Sequence, residues 1–379
     1  MGSAYSYQTK NGLRWEARYR RPDGRPTRRG GFRRKMDAVA FINEVETAVN
    51  KGTYVSVSDG NVTVGKLGED WLLAHAAAVK PSTWHSDESS WRVHVAPRWG
   101  LRKINTIQHT EIRKWVAELS ARRSATTVKR AHGILAAILD GAVRDRRILA
   151  NPAREVKTPK KKRKAKPYLT HAQVERLAAT SKYPDFVRFL AYTGLRWGEV
   201  TGLKIRHVDR QRRCFWVNEN AVRVNGHVQL GTPKPEKFRT VPYPAFLDDA
   251  IARACKGKSA EELLWPAQLG GYLSQGNSMS GWFAAAVKRI RAEDQRAADE
   301  ARARGEEVPP VMPRVTPHDL RHTAASLAIS AGANVKVVQR MLGHASATMT
   351  LDTYAELFED DLHEVAEALD KQRATALQK

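Results

Sequence analysis

The chain has 379 residues, 42% of them apolar, which is enough to build real cores and sets aside a disordered polyelectrolyte. No apolar run approaches the roughly 18–20 residues of a membrane helix, and MGSAYSYQTK has no charged start before an apolar block, so neither a membrane protein nor a secreted one is expected. Lys and Arg number 64 against 40 Asp and Glu, a formal net charge of +24, which points to a polyanionic partner, nucleic acid before an anionic membrane surface.

The length suggests two or three domains. Residues 1–58 read as a small separate unit. Trp15, Ala17 and Tyr19 alternate with Glu16, Arg18 and Arg20, the period of a strand. Arg21-Pro22-Asp23-Gly24 is turn chemistry, and Arg28 to Arg34 reads as a second, very basic strand. Ala38, Phe41, Ile42 and Val45 then recur at helical spacing. The expectation is a basic β-hairpin backed by one helix. Its charges could be a solvated face or a DNA-binding sheet, and the crowding of Arg18, Arg20, Arg28, Arg29 and Arg33 favours DNA. MGSAYS fits the loose N-myristoylation pattern and carries little weight. Asn61-Val62-Thr63 is a sequon, which has meaning only on secretion.

Residues 62–155 read as all-helical. One helix carries Val64, Leu67, Trp71 and Leu72, a second starts at Pro81 ahead of Trp84 and Trp91, and a third runs from Ile107 to Leu119 with Thr110 as its cap. Val128 to Val143 makes a fourth, with Ile134, Leu135, Ile138 and Leu139 inward, and Asn151-Pro152 closes the unit. Lys129 and Arg130 add positive charge. Residues 156–167 form a linker. Six of the seven residues from Lys160 to Lys166 are basic, including Lys161, Lys162, Arg163 and Lys164, and such a run cannot pack a core. It resembles a nuclear-import signal, but a linker lying on phosphates needs fewer assumptions.

From 168 to 379 a mixed α+β domain is expected. Thr170 caps a helix through Val174 and Leu177, and Phe186 to Tyr192 is an apolar helix ending at Gly194. Cys214 to Val217, Ala221 to Val224 and Thr240 to Val241 read as short strands, and helices dominate after Asp248. Ala292 to Glu307 reads as an exposed helix and loop. The two cysteines, Cys214 and Cys255, fit no metal-site spacing and read as reduced thiols of a cytosolic protein.

Four patches of this domain suit anion chemistry. Arg196 lies at a helix start beside Glu199, where free backbone N–H groups attract anions; alone, the two make an ordinary surface ion pair. Lys234 lies in GTPKPEKFRTVP, read as a hairpin tip, where a solvated turn lysine is the plain alternative. Thr316, Pro317 and Asp319 open a helix that carries His318 and Arg321 on one face, a phosphate site with a proton-transfer group beside it. In LGHASATMTLDTY, Gly343 ends a helix, His344 follows in the loop, and Ser346 caps a new helix bearing Tyr354.

The ordered set Arg196, Lys234, His318-x-x-Arg321, Leu342-Gly343-His344, Tyr354 resembles the tyrosine recombinase (phage integrase) family, with the flavour of integrases of actinobacterial phages and integrative elements. The resemblance covers 168–379 in order and spacing. It implies that 1–58 is an arm-type DNA-binding domain, that 62–155 is a SAM-like core-binding domain, and that Tyr354 attacks a scissile DNA phosphate. Arg196 and Arg321 then clamp non-bridging oxygens, Lys234 protonates the leaving 5′-oxygen, His318 assists proton transfer at the tyrosine, His344 bonds a phosphate oxygen, and Glu199 orients. It further implies a tetramer on core and arm attachment sites in a bacterial cytoplasm, with a host DNA-bending factor and an excisionase, and with no metal or nucleotide cofactor. Two alternatives stay open: a catalytically silent DNA-binding regulator on the same scaffold, and a type IB topoisomerase-like enzyme.

Overall fold

The alternation that sets Trp15, Ala17 and Tyr19 on one side of a strand also sets the N-terminal fold. A computed structural model describes residues 2–55, 59–161, 166–224, 226–231, 238–276, 279–358 and 361–377. Lys234, Lys162, Arg163 and Lys164 lie outside the described residues. The chain divides into two compact units, Met1–Arg163 and Lys164–Lys379.

In the first unit β1 (Ser3–Thr9), β2 (Gly12–Arg20) and β3 (Pro26–Phe32) form an antiparallel sheet in the order β1-β2-β3. The expected hairpin is therefore corrected to three strands. Ser3–Thr9 is too polar to announce itself, but its pairing with β2 satisfies an edge that a hairpin leaves bare. The basic strand also stops at Phe32, leaving Arg33 beyond it. Ala17 packs on Ala38 and Ile42 of α1 (Lys35–Asn50), with Trp15, Phe32 and Phe41 around them.

A larger helical core follows: α2 (Val64–Ala78), α3 (Pro81–Ser90), α4 (Ala96–Trp99), α5 (His109–Arg122) and α6 (Ala125–Arg144). Trp91–Val95, between α3 and α4, is one π-helical turn. Pro97 in the first turn of α4 supplies no N–H, and the wider turn accommodates the interrupted ladder. Thr110 is not the cap of α5. Gln108 takes that place, with Glu111 accepting from its backbone N–H, so Thr110 falls inside the first turn. Leu135, Leu139 and Ile112 are fully buried, and Ala153 and Val156 join the same core, past the expected end at Asn151-Pro152.

The second unit is built from α7 (His171–Thr180), α8 (Pro184–Thr193), α9 (Trp197–Thr201), β4 (Val208–Asp209), β5 (Cys214–Val217), β6 (Asn220–Val224), β7 (His227–Gly231), β8 (Arg239–Pro242), α10 (Asp248–Cys255), α11 (Trp282–Arg304), α12 (Pro317–Ser330), α13 (Val335–Leu342), α14 (Ala347–Tyr354) and α15 (Asp361–Leu377). Phe186, Phe189, Leu190, Phe215 and Leu320 lie at its core. The strands make two sheets, β4-β5-β8 and β6-β7. β7 thus pairs with β6 and β8 with β5, and the hairpin tip expected around Lys234 lies outside the described residues. Along α15, Leu369 is exposed, and the side chains of Leu362, Val365 and Ala366 lie outside those described. The whole is mainly helical with small sheets, as composition and pattern predict.

Candidate active site

Two glycines bring the site together. Gly194 ends α8 in the left-handed region, φ 64°, and a Cβ there would lie 2.9 Å from a Leu342 methyl group. Gly343 ends α13 the same way, φ 64°, and a Cβ there would lie 2.8 Å from the Arg239 guanidinium. The missing side chains let the α8 end pack on Leu342, Met341 and Ala324 and the α13 end pack on Arg239.

Three guanidinium groups gather there. Arg321, on α12 and 3% exposed, donates from Nη1 to the Gly194 carbonyl at 2.6 Å and from Nη2 to the Leu342 carbonyl at 2.6 Å. Burial first, then Arg196, pulls its pKa down to about 9, which leaves it charged at neutral pH. Arg196, the N-cap of α9, donates from Nη1 to Glu199 Oε1 at 2.8 Å and from Nη2 to the Gly343 carbonyl at 3.3 Å. Its backbone N–H reaches Glu199 Oε2 at 2.9 Å. Arg239, which sequence reasoning missed, holds the same carboxylate from the other side. Burial alone would push the Glu199 pKa up, but the hydrogen bonds and charges of Arg239 and Arg196 outweigh it and hold the pKa low.

Tyr354 is the last residue of α14, whose first turn is capped by Ser346, which accepts from the Met349 N–H. Its ring is fully buried with Ala325, Ile329, Val338 and Leu342, and Lys166 Nζ sits 5.3 Å from the ring centroid. The hydroxyl meets His322, a second residue missed from sequence: its oxygen lies 2.7 Å from His322 Nδ1. Burial first, then Lys166 and His318, pushes the His322 pKa down to about 4, so the imidazole is neutral at pH 7, and in the tautomer with the proton on Nε2 its Nδ1 accepts a hydrogen bond from the phenol. Burial raises the Tyr354 pKa, with Arg321 opposing, so the proton rests on the tyrosine.

His318 stands one turn before His322, edge-on at 5.1 Å between ring centroids, its pKa lowered by burial and Arg321. Thr316 and Asp319 form the expected capping pair beneath it, at 2.7 Å. His344 stacks on Tyr354 at 6.5 Å and lies 2.9 Å through Nδ1 from Thr350 Oγ1; burial, Arg321 and Arg196 bring its pKa to about 4. Arg196, Glu199, His318, Arg321, His344 and Tyr354 therefore converge. His322 had a readable signal, its i+4 spacing from His318, whereas Arg239 is revealed only by the strand pairing that carries β8 to the site.

In the first unit Arg18, Arg20 and Arg28 line one outer face of the sheet, with Arg18 paired to Arg28 across β2 and β3. With Ser3, Tyr5 and Pro26 they surround a hollow of about 430 Å³. Arg29 belongs to the other side, over the Phe41 ring at 4.6 Å. Arg33 and Lys129 are exposed, as are Lys160 and Lys161, while Arg130 makes an ion pair with Asp87 at 3.6 Å. Among the described residues no helix is long and apolar enough to cross a membrane.

Comparison with known proteins supplies the identity. The sequence model of the phage integrase family matches residues 167–360, and that of the phage integrase central domain matches 65–159. The integrase of Mycobacterium phage L5 is 25% identical over 355 residues, covering 90% of this chain and 90% of that protein. The Tn1549 transposon integrase in complex with a circular intermediate DNA superposes with a TM-score of 0.62 at 24% identity, over 81% of this chain and 99% of that one. A lambda integrase tetramer bound to a Holliday junction gives a TM-score of 0.54 at 18% identity, over 90% and 96%. These structural likenesses establish the fold, and with more than half of the chain matched by the family model, the chain belongs to the phage integrase family and is a tyrosine-type site-specific DNA recombinase.

Proposed function

We propose that this chain integrates mobile DNA, such as a phage genome, by cutting and rejoining duplexes through a 3′-phosphotyrosyl intermediate on Tyr354. The observation that carries the proposal is the tyrosine hydroxyl seated on a neutral histidine beside three arginines. As the Tyr354 oxygen bonds to phosphorus, its proton passes to His322 and the bond from phosphorus to the 5′-oxygen breaks. Arg196 and Arg321 bind the non-bridging oxygens, where charge grows in the transition state, and His344 adds a hydrogen bond. His318 backs His322 in this proton transfer. The leaving 5′-oxygen takes a proton from Lys234. The 5′-hydroxyl of a second duplex then reverses the step, strand by strand, through a four-way junction.

The phosphotyrosyl ester conserves the energy of the broken bond, so the reaction needs no nucleotide, and the clustered cations stand where other enzymes use a metal. The likeness to a lambda integrase tetramer on a Holliday junction supports a tetramer on DNA. The basic outer face of the N-terminal sheet supports arm-site binding, and the helical core and basic linker support core-site binding. A DNA-bending factor and an excisionase complete the assembly by the same family reading.

The test uses nicked duplexes cut from the DNA flanking the coding sequence. The unmodified chain forms a denaturation-resistant adduct on one of them, with EDTA present, and Tyr354→Phe forms none. An adduct on Tyr354→Phe sinks the assignment. Relaxation of supercoils without strand exchange supports the topoisomerase alternative, and binding without cleavage supports the silent regulator.

A further inference from the structure

Glu199 poses an electrostatic problem. Its side chain is 0% exposed, and it stands against the arginine proposed to hold the scissile phosphate. A buried carboxylate that paired with Arg196 alone would cancel the charge that phosphate needs.

Arg239 resolves it. From the start of β8, Nη1 donates to Glu199 Oε1 at 3.0 Å and Nη2 to Oε2 at 2.6 Å, the two parallel bonds of a fork on a carboxylate. Its side chain is 13% exposed, and its Nε is buried with no acceptor among the described residues. The guanidinium also packs on Gly343, the residue before His344. Arg196, Arg239 and Arg321 with Glu199 carry two net positive charges between them, beside the Lys166 ammonium at the Tyr354 ring, since burial and the neighbouring cations lower all three imidazole pKa values. Without Arg239 the arginine–glutamate group carries only one, at a centre where negative charge must accumulate.

We infer that Arg239 is a positioning residue for DNA cleavage: it neutralises Glu199 and braces Gly343, so that Arg196 and His344 meet the scissile phosphate with their full donor strength. The inference rests on the reading of Tyr354 as nucleophile.

The experiment compares single-turnover adduct formation by the full chain and its variants on the nicked duplex that the unmodified chain cleaves. Arg239→Ala slows the step by about 100-fold while its gel-shift affinity stays within about 3-fold, because its guanidinium is committed to Glu199 rather than to DNA. Glu199→Gln added to Arg239→Ala recovers at least about 10-fold of that loss, because the uncompensated carboxylate is gone. Arg239→Lys falls between, supplying charge without the fork. A merely structural arginine gives no such rescue, and the paired variant then cleaves no faster than Arg239→Ala. That result overturns the inference, as does an unaltered rate in Arg239→Ala. Should Arg239→Ala fail to fold, the same comparison is made from Arg239→Gln. If the unmodified chain forms no adduct on any flanking duplex, the reading of Tyr354 fails first and takes this inference with it.

Discussion

The Tyr354 hydroxyl lies 2.7 Å from Nδ1 of His322, the proposed proton acceptor, an imidazole kept neutral by burial and by the cations around it. Replacing His322 with Ala is therefore expected to lower adduct formation by about 100-fold or more without weakening DNA binding, read as single-turnover cleavage beside a gel shift. A rate that rises instead would mean that His322 restrains the nucleophile. The same pair gives a pH dependence whose sign is fixed. In the unfolded chain histidine takes up a proton near 6.5, whereas folded His322 and His344 do so only near about 4. Between those values the unfolded state binds more protons, so stability falls as pH falls from about 6.5 towards 4. Thermal denaturation at pH 7.5 and pH 5 should show a lower midpoint at pH 5, and the His322→Gln, His344→Gln double variant should show a flatter dependence. An equal slope in that variant would place the acid sensitivity elsewhere.

Among elements, the helix ends do most to shape the site, and they are also where the sequence was most readable. Thr170, Ser346, Gly194 and Gly343 cap as their residue types predict, because each cap is a local hydrogen-bond or dihedral requirement. What escaped was non-local. β1 has little apolar pattern and exists because β2 pairs with it, and β7 and β8 are close in sequence yet belong to different sheets. Arg239 could not be placed at Glu199 without that pairing, whereas His322, four residues after His318, carried a local signal that the sequence reading passed over. The Gly343 end carries a further prediction. Gly343→Ala must hold a left-handed φ at a cost of about 1–2 kcal/mol and must also displace the Arg239 guanidinium 2.8 Å from its new methyl group. Its thermal midpoint should drop by a few degrees and its cleavage should slow more than its stability loss explains. Cleavage at the unmodified rate would show that the guanidinium can move without consequence.

At the scale of the whole molecule, the charge divides into two populations that salt should treat differently. Most of the net charge of +24 must lie on the surface, as Arg18, Arg20, Arg28, Lys160 and Lys161 do. Surface charges act on DNA through its counterion atmosphere, which added salt restores. Arg321 and Glu199 are buried, at 3% and 1% exposure, with Arg239 half-buried against the carboxylate, so the mobile ions that screen a surface act on this cluster only weakly. Raising salt from about 50 to 200 mM should therefore weaken binding by about a thousandfold or more if six or more phosphates are contacted. The cleavage rate of complex already formed, at saturating protein, should change by less than about 3-fold over the same range. Titrating affinity and single-turnover rate against salt on one duplex separates the two. If the rate at saturation falls in step with affinity, the arginines at Glu199 are exposed to solvent ions when DNA is bound, and the buried charge balance ascribed to Arg239 does not survive in the working complex.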